Sequence, residues 1–349
     1  MERWSKMAIQ EIHIDNAEQW DSAVRKVTRY DVFYLSGYLK AFQLQGSGEP
    51  ILIVYSDGGD YAVNAVFKRD IGDDKHFSGL LEKGKYFDIS TPYGYGGFIG
   101  NIINIEKLNS EWKQYCVEHG YICEFVRFEL FGNYRSSYGG EAVTRIHNVV
   151  RNLNIPLDEM WMDFKQKVRK NVKRAARYHL RLIVDSDGKY LDDFLRIYDQ
   201  TMDRNNAEDD FYFGKEFFQM LNTMKDNIMY FHVAFEEKII STELVIYGSE
   251  NGYSYLGGTD KKYFEMRPND FLKYEIIKWA KEKGLKNFVL GGGYGADDGI
   301  FQYKQCIAPH GIVDFYIGKQ IFDQKRYNEL VQMRGEKIEN REYFPLYRG

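Results

Sequence analysis

Apolar residues recur at Leu108, Trp112, Tyr115 and Cys116, the i, i+4, i+7, i+8 spacing of one helix face. Gly120 follows as a helix C-cap, and residues 122–130 read as a strand. The same grammar returns later in the chain. Leu272, Ile276, Trp279 and Ala280 repeat the spacing, Gly284 caps the helix, and Phe288-Val289-Leu290 supplies the strand. In both places the glycine stands 12 positions after the first apolar residue.

The segments upstream match as well. Residues 51–55 with 61–67, and 230–235 with 239–247, read as hairpins that turn through polar tips at 56–60 and 236–238. A glycine-rich strand end is expected after each, Tyr93-Gly94-Tyr95-Gly96-Gly97 in the first half and Tyr255-Leu256-Gly257-Gly258-Thr259 in the second. A glycine-capped helix is common, but this ordered series seen twice predicts a duplicated unit of α/β (α+β) class. The boundary is expected near residues 149–158, where Pro156 cannot continue a central strand. That gives a first domain over 1–155 and a second over 156–349, the latter opening with a helix whose apolar stripe is Phe164, Val168, Val172, Ala175 and His179.

Composition narrows the class of protein. At 349 residues with 44% hydrophobic content, the chain can bury two ordinary cores. No run approaches the ~18 apolar residues of a membrane span. Charged residues within the first fifteen positions exclude a signal peptide, so a cytoplasmic protein is expected. Three cysteines without C-x-x-C spacing read as reduced structural thiols, and no metal site is expected.

Charge is unevenly placed. Net charge is −4, yet residues 165–181 hold eight basic side chains and no acid. Arg169, Lys173 and Arg177 fall four apart on one helix face. A solvated amphipathic helix is the ordinary explanation of such a run. Eight uncompensated cations repel one another, however, and a polyanion such as a pyrophosphate, a tRNA backbone or an anionic membrane surface would relieve them.

Familiar catalytic motifs are scarce. Gly291-Gly292-Gly293-Tyr294-Gly295-Ala296 matches a dinucleotide fingerprint, but too near the chain end, and Asp297 and Asp298 would repel a phosphate. A coenzyme A site of the GNAT acetyltransferase type calls for a glycine-bearing turn before the helix at 272. Residues 260–269 contain no glycine there, so backbone amides cannot converge on a pyrophosphate. The seven histidines are scattered, and neither a Ser/His/Asp nor a Cys/His nucleophile signature is visible. This suits a reaction with a good leaving group, in which the protein orients reactants and neutralises charge. No cofactor is expected.

Four groups of residues give the chain its resemblance to a known family. They are Arg169-Lys170-Asn171-Val172-Lys173-Arg174-Ala175, Thr201-Met202-Asp203-Arg204-Asn205 with Tyr212, Tyr255-Leu256-Gly257-Gly258-Thr259, and Tyr303-Lys304. Asp88-Ile89-Ser90-Thr91-Pro92-Tyr93-Gly94-Tyr95-Gly96-Gly97 adds a looser match in the first half. In this order they resemble the Fem family of peptidoglycan-bridge aminoacyltransferases. The resemblance implies two tandem GNAT-like domains, each a mixed, mostly antiparallel sheet flanked by helices.

It also implies transfer of an aminoacyl group from aminoacyl-tRNA to an amine of an anionic cell-wall precursor, UDP-linked or lipid-linked, with contact to a membrane surface. Lys304 would neutralise charge developing on the carbonyl oxygen or an adjacent phosphate. Arg204 would bind the anionic acceptor, and Tyr212, Tyr255, Gly258, Thr259 and Tyr303 would line the substrate site. The plainer alternatives are an exposed Lys304 and an ion pair of Arg204 with Glu208 or Asp209. A competing activity is N-acyl transfer from coenzyme A or a carrier in surface polysaccharide synthesis. A non-enzymatic alternative is a polyanion-binding module built on the basic helix alone.

Overall fold

The computed structural model describes residues 8–293 and 298–349. Two compact units emerge, one of residues up to Arg145 together with Phe315–Gly349, the other of Ile146–Asp314.

The first unit contains β1 (Ile9–His13), α1 (Ala17–Arg25), α2 (Ser36–Gln43), β2 (Glu49–Asp57), β3 (Asp60–Asp70), β4 (Phe87–Ser90), β5 (Ile99–Asn101), α3 (Ile105–Glu118) and β6 (Tyr121–Arg127). Its strands run in the order β1-β2-β3-β4-β6, with β5 set on β3. All pairs are antiparallel except β4 with β6, which α3 connects. The expected stripe of α3 is buried at Leu108, Trp112 and Cys116, and Gly120 takes the left-handed φ of +70° that ends the helix.

The last strand of this unit comes from the far end of the chain. Residues 317–321 of the strand at Ile312–Ile321 pair antiparallel with β6, and the helix at Gln324–Arg334 follows. In chain order these two elements are β13 and α10. The final residues are anchored by charge. Tyr347 Oη and Arg348 Nε donate to buried Asp88 Oδ2 at 2.7 and 2.8 Å, and Arg69 Nε donates to its other oxygen at 2.6 Å. Burial alone would raise the Asp88 carboxyl, but the Arg69 and Arg348 guanidiniums outweigh it and hold the carboxyl below its ordinary value. A depressed carboxylate contributes stability above its unfolded value and loses it as pH falls. Truncating Arg348 to alanine should cost about 3 kcal/mol in urea unfolding at pH 7, with a smaller loss once Asp88 is protonated in acid.

The second unit runs through β7 (Glu141–Asn152, from residue 146), α4 (Leu157–Asp163), α5 (Gln166–Ala175), β8 (Arg181–Asp185), α6 (Leu191–Asn205), α7 (Lys215–Leu221), β9 (Ile228–Phe235), β10 (Lys238–Tyr247), β11 (Asn251–Thr259), α8 (Pro268–Glu282), β12 (Asn287–Gly291) and α9 (Gly299–Ile307). Its strand order is β8-β9-β10-β11-β12-β7, again antiparallel except for one parallel pair, β11 with β12, joined by α8. The two units therefore share a topology: a hairpin, a third strand, a helix, a parallel fourth strand and an antiparallel closing strand.

Two expectations shift. The expected boundary at 155/156 falls inside the second unit, and the chain from Phe315 onward belongs with the first. Hydrogen bonding explains this: residues 149–152 of β7 ladder with β12, whereas 317–321 of β13 ladder with β6. The two glycine-rich segments also differ. Tyr255–Thr259 lies within β11, but Tyr93–Gly97 is irregular, because Gly94 and Gly97 have φ of +100° and +91°.

Candidate active site

The second unit places a cavity of about 540 Å³ where β11 and β12 part. These strands pair only over Asn251–Tyr253 and Asn287–Val289. Beyond that point a bulge intervenes: Leu244 faces Leu256 and Val245 faces Ser254, which leaves Tyr255 as the extra residue. The bulge turns the rest of β11 away from β12, and side chains from α6, α8 and α9 fill the rim of the opening.

Lys304 reaches this cavity from α9, which Asp298 starts by accepting from the Ile300 amide at 2.9 Å. Its Nζ donates to the carbonyl of Gly292 at 2.5 Å. A Cβ at Gly291 would stand 3.2 Å from that Nζ, and the φ of +85° favours glycine there in any case. Burial, and then repulsion from Lys273, lower the Lys304 ammonium to about 8, against the pull of Asp298 and Glu243. At neutral pH it remains mostly charged. The cavity placement replaces the plainer reading of an exposed lysine.

Next to it, the Tyr303 hydroxyl accepts from Asn269 Nδ2 at 2.9 Å, and burial pushes that phenol well up. Arg204, on the last turn of α6, donates to the Thr259 carbonyl at 3.4 Å and the Thr201 hydroxyl at 3.3 Å, and lies over the Phe264 ring. No carboxylate pairs with it among the described residues, so the alternative of an ion pair with Glu208 or Asp209 is not what forms. Tyr255, Gly258 and Thr259 line the same cavity. Gly258 has a packing reason as well, since a Cβ there would come within 2.2 Å of Thr201 Oγ1. The Thr259 hydroxyl is taken up by Ser241 at 2.7 Å.

Tyr212 is not brought in. It is exposed, its hydroxyl donates to Asp203 at 3.0 Å, and it does not line the cavity. The fingerprint-like run extends into Tyr294, Gly295, Ala296 and Asp297, which lie outside the described residues.

Three charged residues of the site escape a reading of the sequence. Lys273 of α8, almost fully buried, donates to both oxygens of Glu243 at 2.6 and 2.5 Å and to Ser254 Oγ at 2.6 Å. Asp270, in the first turn of α8, is 7% exposed. Its Oδ2 accepts from Asn171 Nδ2 at 3.2 Å, and its Oδ1 has no partner. Glu243 is the one charge in the apolar run 239–247, a signal that could have marked it.

The connection from β11 to α8 is a 3-10 helix, Lys261–Met266, closed by Arg267 at φ +60°. It offers no glycine cradle, and a carboxylate already occupies the first turn of α8, where a phosphate would otherwise be favoured.

The basic helix flanks this site through Asn171. Val168, Val172 and Ala175 of α5 are buried with Phe164, as expected. His179 departs from the stripe: α5 ends at Ala175 and His179 is exposed in a left-handed conformation. Arg169 is half-buried and donates to the carbonyls of Met162 and Phe164, closing the end of α4. Lys173 and Arg177 are exposed, Arg177 in the 3-10 turn beyond the helix. The three cations thus do not form one continuous face. None of the eight basic residues of this stretch forms an ion pair among the described residues.

The architecture is that of a tandem GNAT-like protein. Residues 162–305 match the family model described as an acetyltransferase (GNAT) domain, which makes this segment a transferase domain. The fold is similar to that of FemX, at a TM-score of 0.70, 14% identity, and coverage of 92% of this chain and 99% of that one. The C-terminal domain of a putative lysylphosphatidylglycerol synthetase from Agrobacterium fabrum aligns at 0.59, with 13% identity, 91% of this chain and 94% of that one. L-PGS from Bacillus licheniformis aligns at 0.58, with 13% identity, 91% of this chain and 96% of that one. A comparison with curated proteins gives no match. The resemblance to the Fem family read from the sequence holds at the level of fold. Among the described residues, no helix is long and apolar enough to cross a membrane.

Proposed function

We propose that the chain transfers an aminoacyl group from aminoacyl-tRNA to an amine of an anionic cell-wall precursor. One observation carries the reading: Lys304 and Arg204, about a hundred positions apart in sequence, line one cavity, and neither forms an ion pair among the described residues. Lys304 would face the carbonyl oxygen as charge develops on it, while Arg204 would hold an anionic group of the acceptor. Tyr255, Gly258, Thr259 and Tyr303 would shape the walls, and Tyr212 would meet substrate only outside the cavity. The glycine-free entry to α8 supports a donor other than coenzyme A. FemX and a synthetase named for lysylphosphatidylglycerol share the fold, which agrees with aminoacyl transfer.

The test is to incubate the protein with charged tRNA, acetyl-coenzyme A and a UDP-linked muropeptide and to measure which donor is consumed. Loss of aminoacyl ester with labelled muropeptide formed is the expected result. Release of free coenzyme A instead would favour the second reading, N-acyl transfer, whose support is the acetyltransferase model matched over 162–305.

The exposed cations of 165–181 would hold the tRNA backbone or an anionic membrane surface. Reversing Lys173 and Arg177 to glutamate, while leaving Arg169 to close α4, should weaken tRNA binding more than tenfold near 0.15 M salt. The slope of log affinity against log salt should flatten by about two. Filter binding across a salt series measures both, and an unchanged slope would make the helix ordinary surface.

A further inference from the structure

We infer that Asp270 is the general base of the transfer, taking the proton from the attacking amine through its unpartnered Oδ1. The inference rests on the aminoacyl-transfer reading above and adds a proton acceptor to it.

Elimination over the cavity singles it out. Among the described residues its lining contains no histidine and two carboxylates, Glu243 and Asp270. Both oxygens of Glu243 already accept from the Lys273 ammonium, which offsets the charge of the carboxylate. Asp270 is the opposite case. It is nine-tenths buried, one oxygen is fixed by Asn171, and the other meets no side-chain donor. A buried carboxylate oxygen without a partner is costly, and an ammonium or amine N–H arriving in the cavity would satisfy it.

The protonation state suits the task. Burial raises the carboxyl to about 6, even though Asn171, Arg267, Lys167 and its own backbone amide each pull it down. The groups facing it are Lys167 and Asn171 from α5, Arg267 ahead of α8, and the neutral Tyr303 hydroxyl from α9. At pH 7 Asp270 is mostly ionised yet more basic than an ordinary carboxylate, the property a base needs near neutrality.

The amine nitrogen bonds to the ester carbonyl carbon while the carbonyl pair moves to oxygen beside Lys304, and Asp270 takes the nitrogen's proton. Collapse of the intermediate breaks the bond to the tRNA 3′ oxygen, which leaves as the hydroxyl by acquiring that proton. The product is an amide.

The experiment follows single-turnover transfer from charged tRNA to UDP-N-acetylmuramoyl pentapeptide between pH 5 and 8.5. Wild type should show an acid limb with a midpoint near 6. Asp270→Asn, which preserves shape and the Asn171 contact, should be slower by about 10²–10⁴-fold, without that limb and with both KM values unchanged within threefold. Asn171→Ala removes a hydrogen bond that stabilises the carboxylate, so its limb should move to higher pH with the base still present. Active wild type with an Asp270→Asn rate within threefold, or an Asn171→Ala limb that does not move, overturns Asp270 alone. Wild type that leaves charged tRNA untouched overturns the donor assignment and this step with it.

Discussion

Lys304→Ala is expected to lower single-turnover transfer by about 10²–10³-fold, the size of effect seen when one preorganised donor to a developing oxyanion is removed. The tRNA dissociation constant should stay within twofold, because the lysine lies in the cavity and not on the basic helix. Transfer should also fade above pH 8 in the wild type, since the charged form is the useful one and the ammonium titrates at about 8. Stability should move the other way. A lysine whose folded value lies below its unfolded one leaves the unfolded chain binding more protons, so stability rises with pH between about 8 and the ordinary lysine value. Removing the buried charge with Lys304→Met should therefore raise, not lower, the melting temperature at pH 7. Activity and stability changing in opposite directions is the pattern of a functional residue held at a structural cost.

The second large effect belongs to the ion pair below it. Lys273→Met leaves Glu243 buried without its cation and should destabilise the protein by about 3–5 kcal/mol in denaturant unfolding. The double replacement Lys273→Met with Glu243→Leu should recover most of that loss, because two matched apolar groups leave no orphaned charge. The change also reaches Lys304. Lys273 pushes its ammonium down, and Glu243 pulls it up. In Lys273→Met both influences act in the same direction, so the alkaline limb of transfer should move to higher pH. A limb that stays fixed would show that the two ammonium groups do not sense one another.

Much of this architecture could be read from residues alone, for reasons that are local. Both helix stripes, both hairpins and the capping glycines follow from short-range spacing and left-handed backbone at Gly120 and Gly284. The swap of closing strands could not be read the same way. Which partner the segment at Ile312–Ile321 chooses depends on ladder bonds to β6, far away in sequence. Within the site, Lys304, Arg204, Tyr255, Gly258, Thr259 and Tyr303 converge because their motifs sit at strand and helix ends that the fold brings together. Lys273 was hidden by its place beside Leu272 on an amphipathic helix, where a lysine reads as solvated. Asp270 was hidden by its position in the first turn of α8, where an acid is ordinary helix chemistry. Tyr212 shows the converse: proximity in sequence to Arg204 did not carry it inward, because the chain turns out through a 3-10 helix at Asp209–Phe211.

All of the chemistry assigned to this chain requires an activated acyl carbonyl in the opening between β11 and β12, within reach of the Lys304 ammonium. A crystal structure with a stable 3′-aminoacylamide of adenosine tests that directly. The amide carbonyl oxygen should lie within hydrogen-bonding distance of Lys304 Nζ. An analogue bound elsewhere, with Lys304 still held by the Gly292 carbonyl and the cavity filled only by solvent, would contradict it.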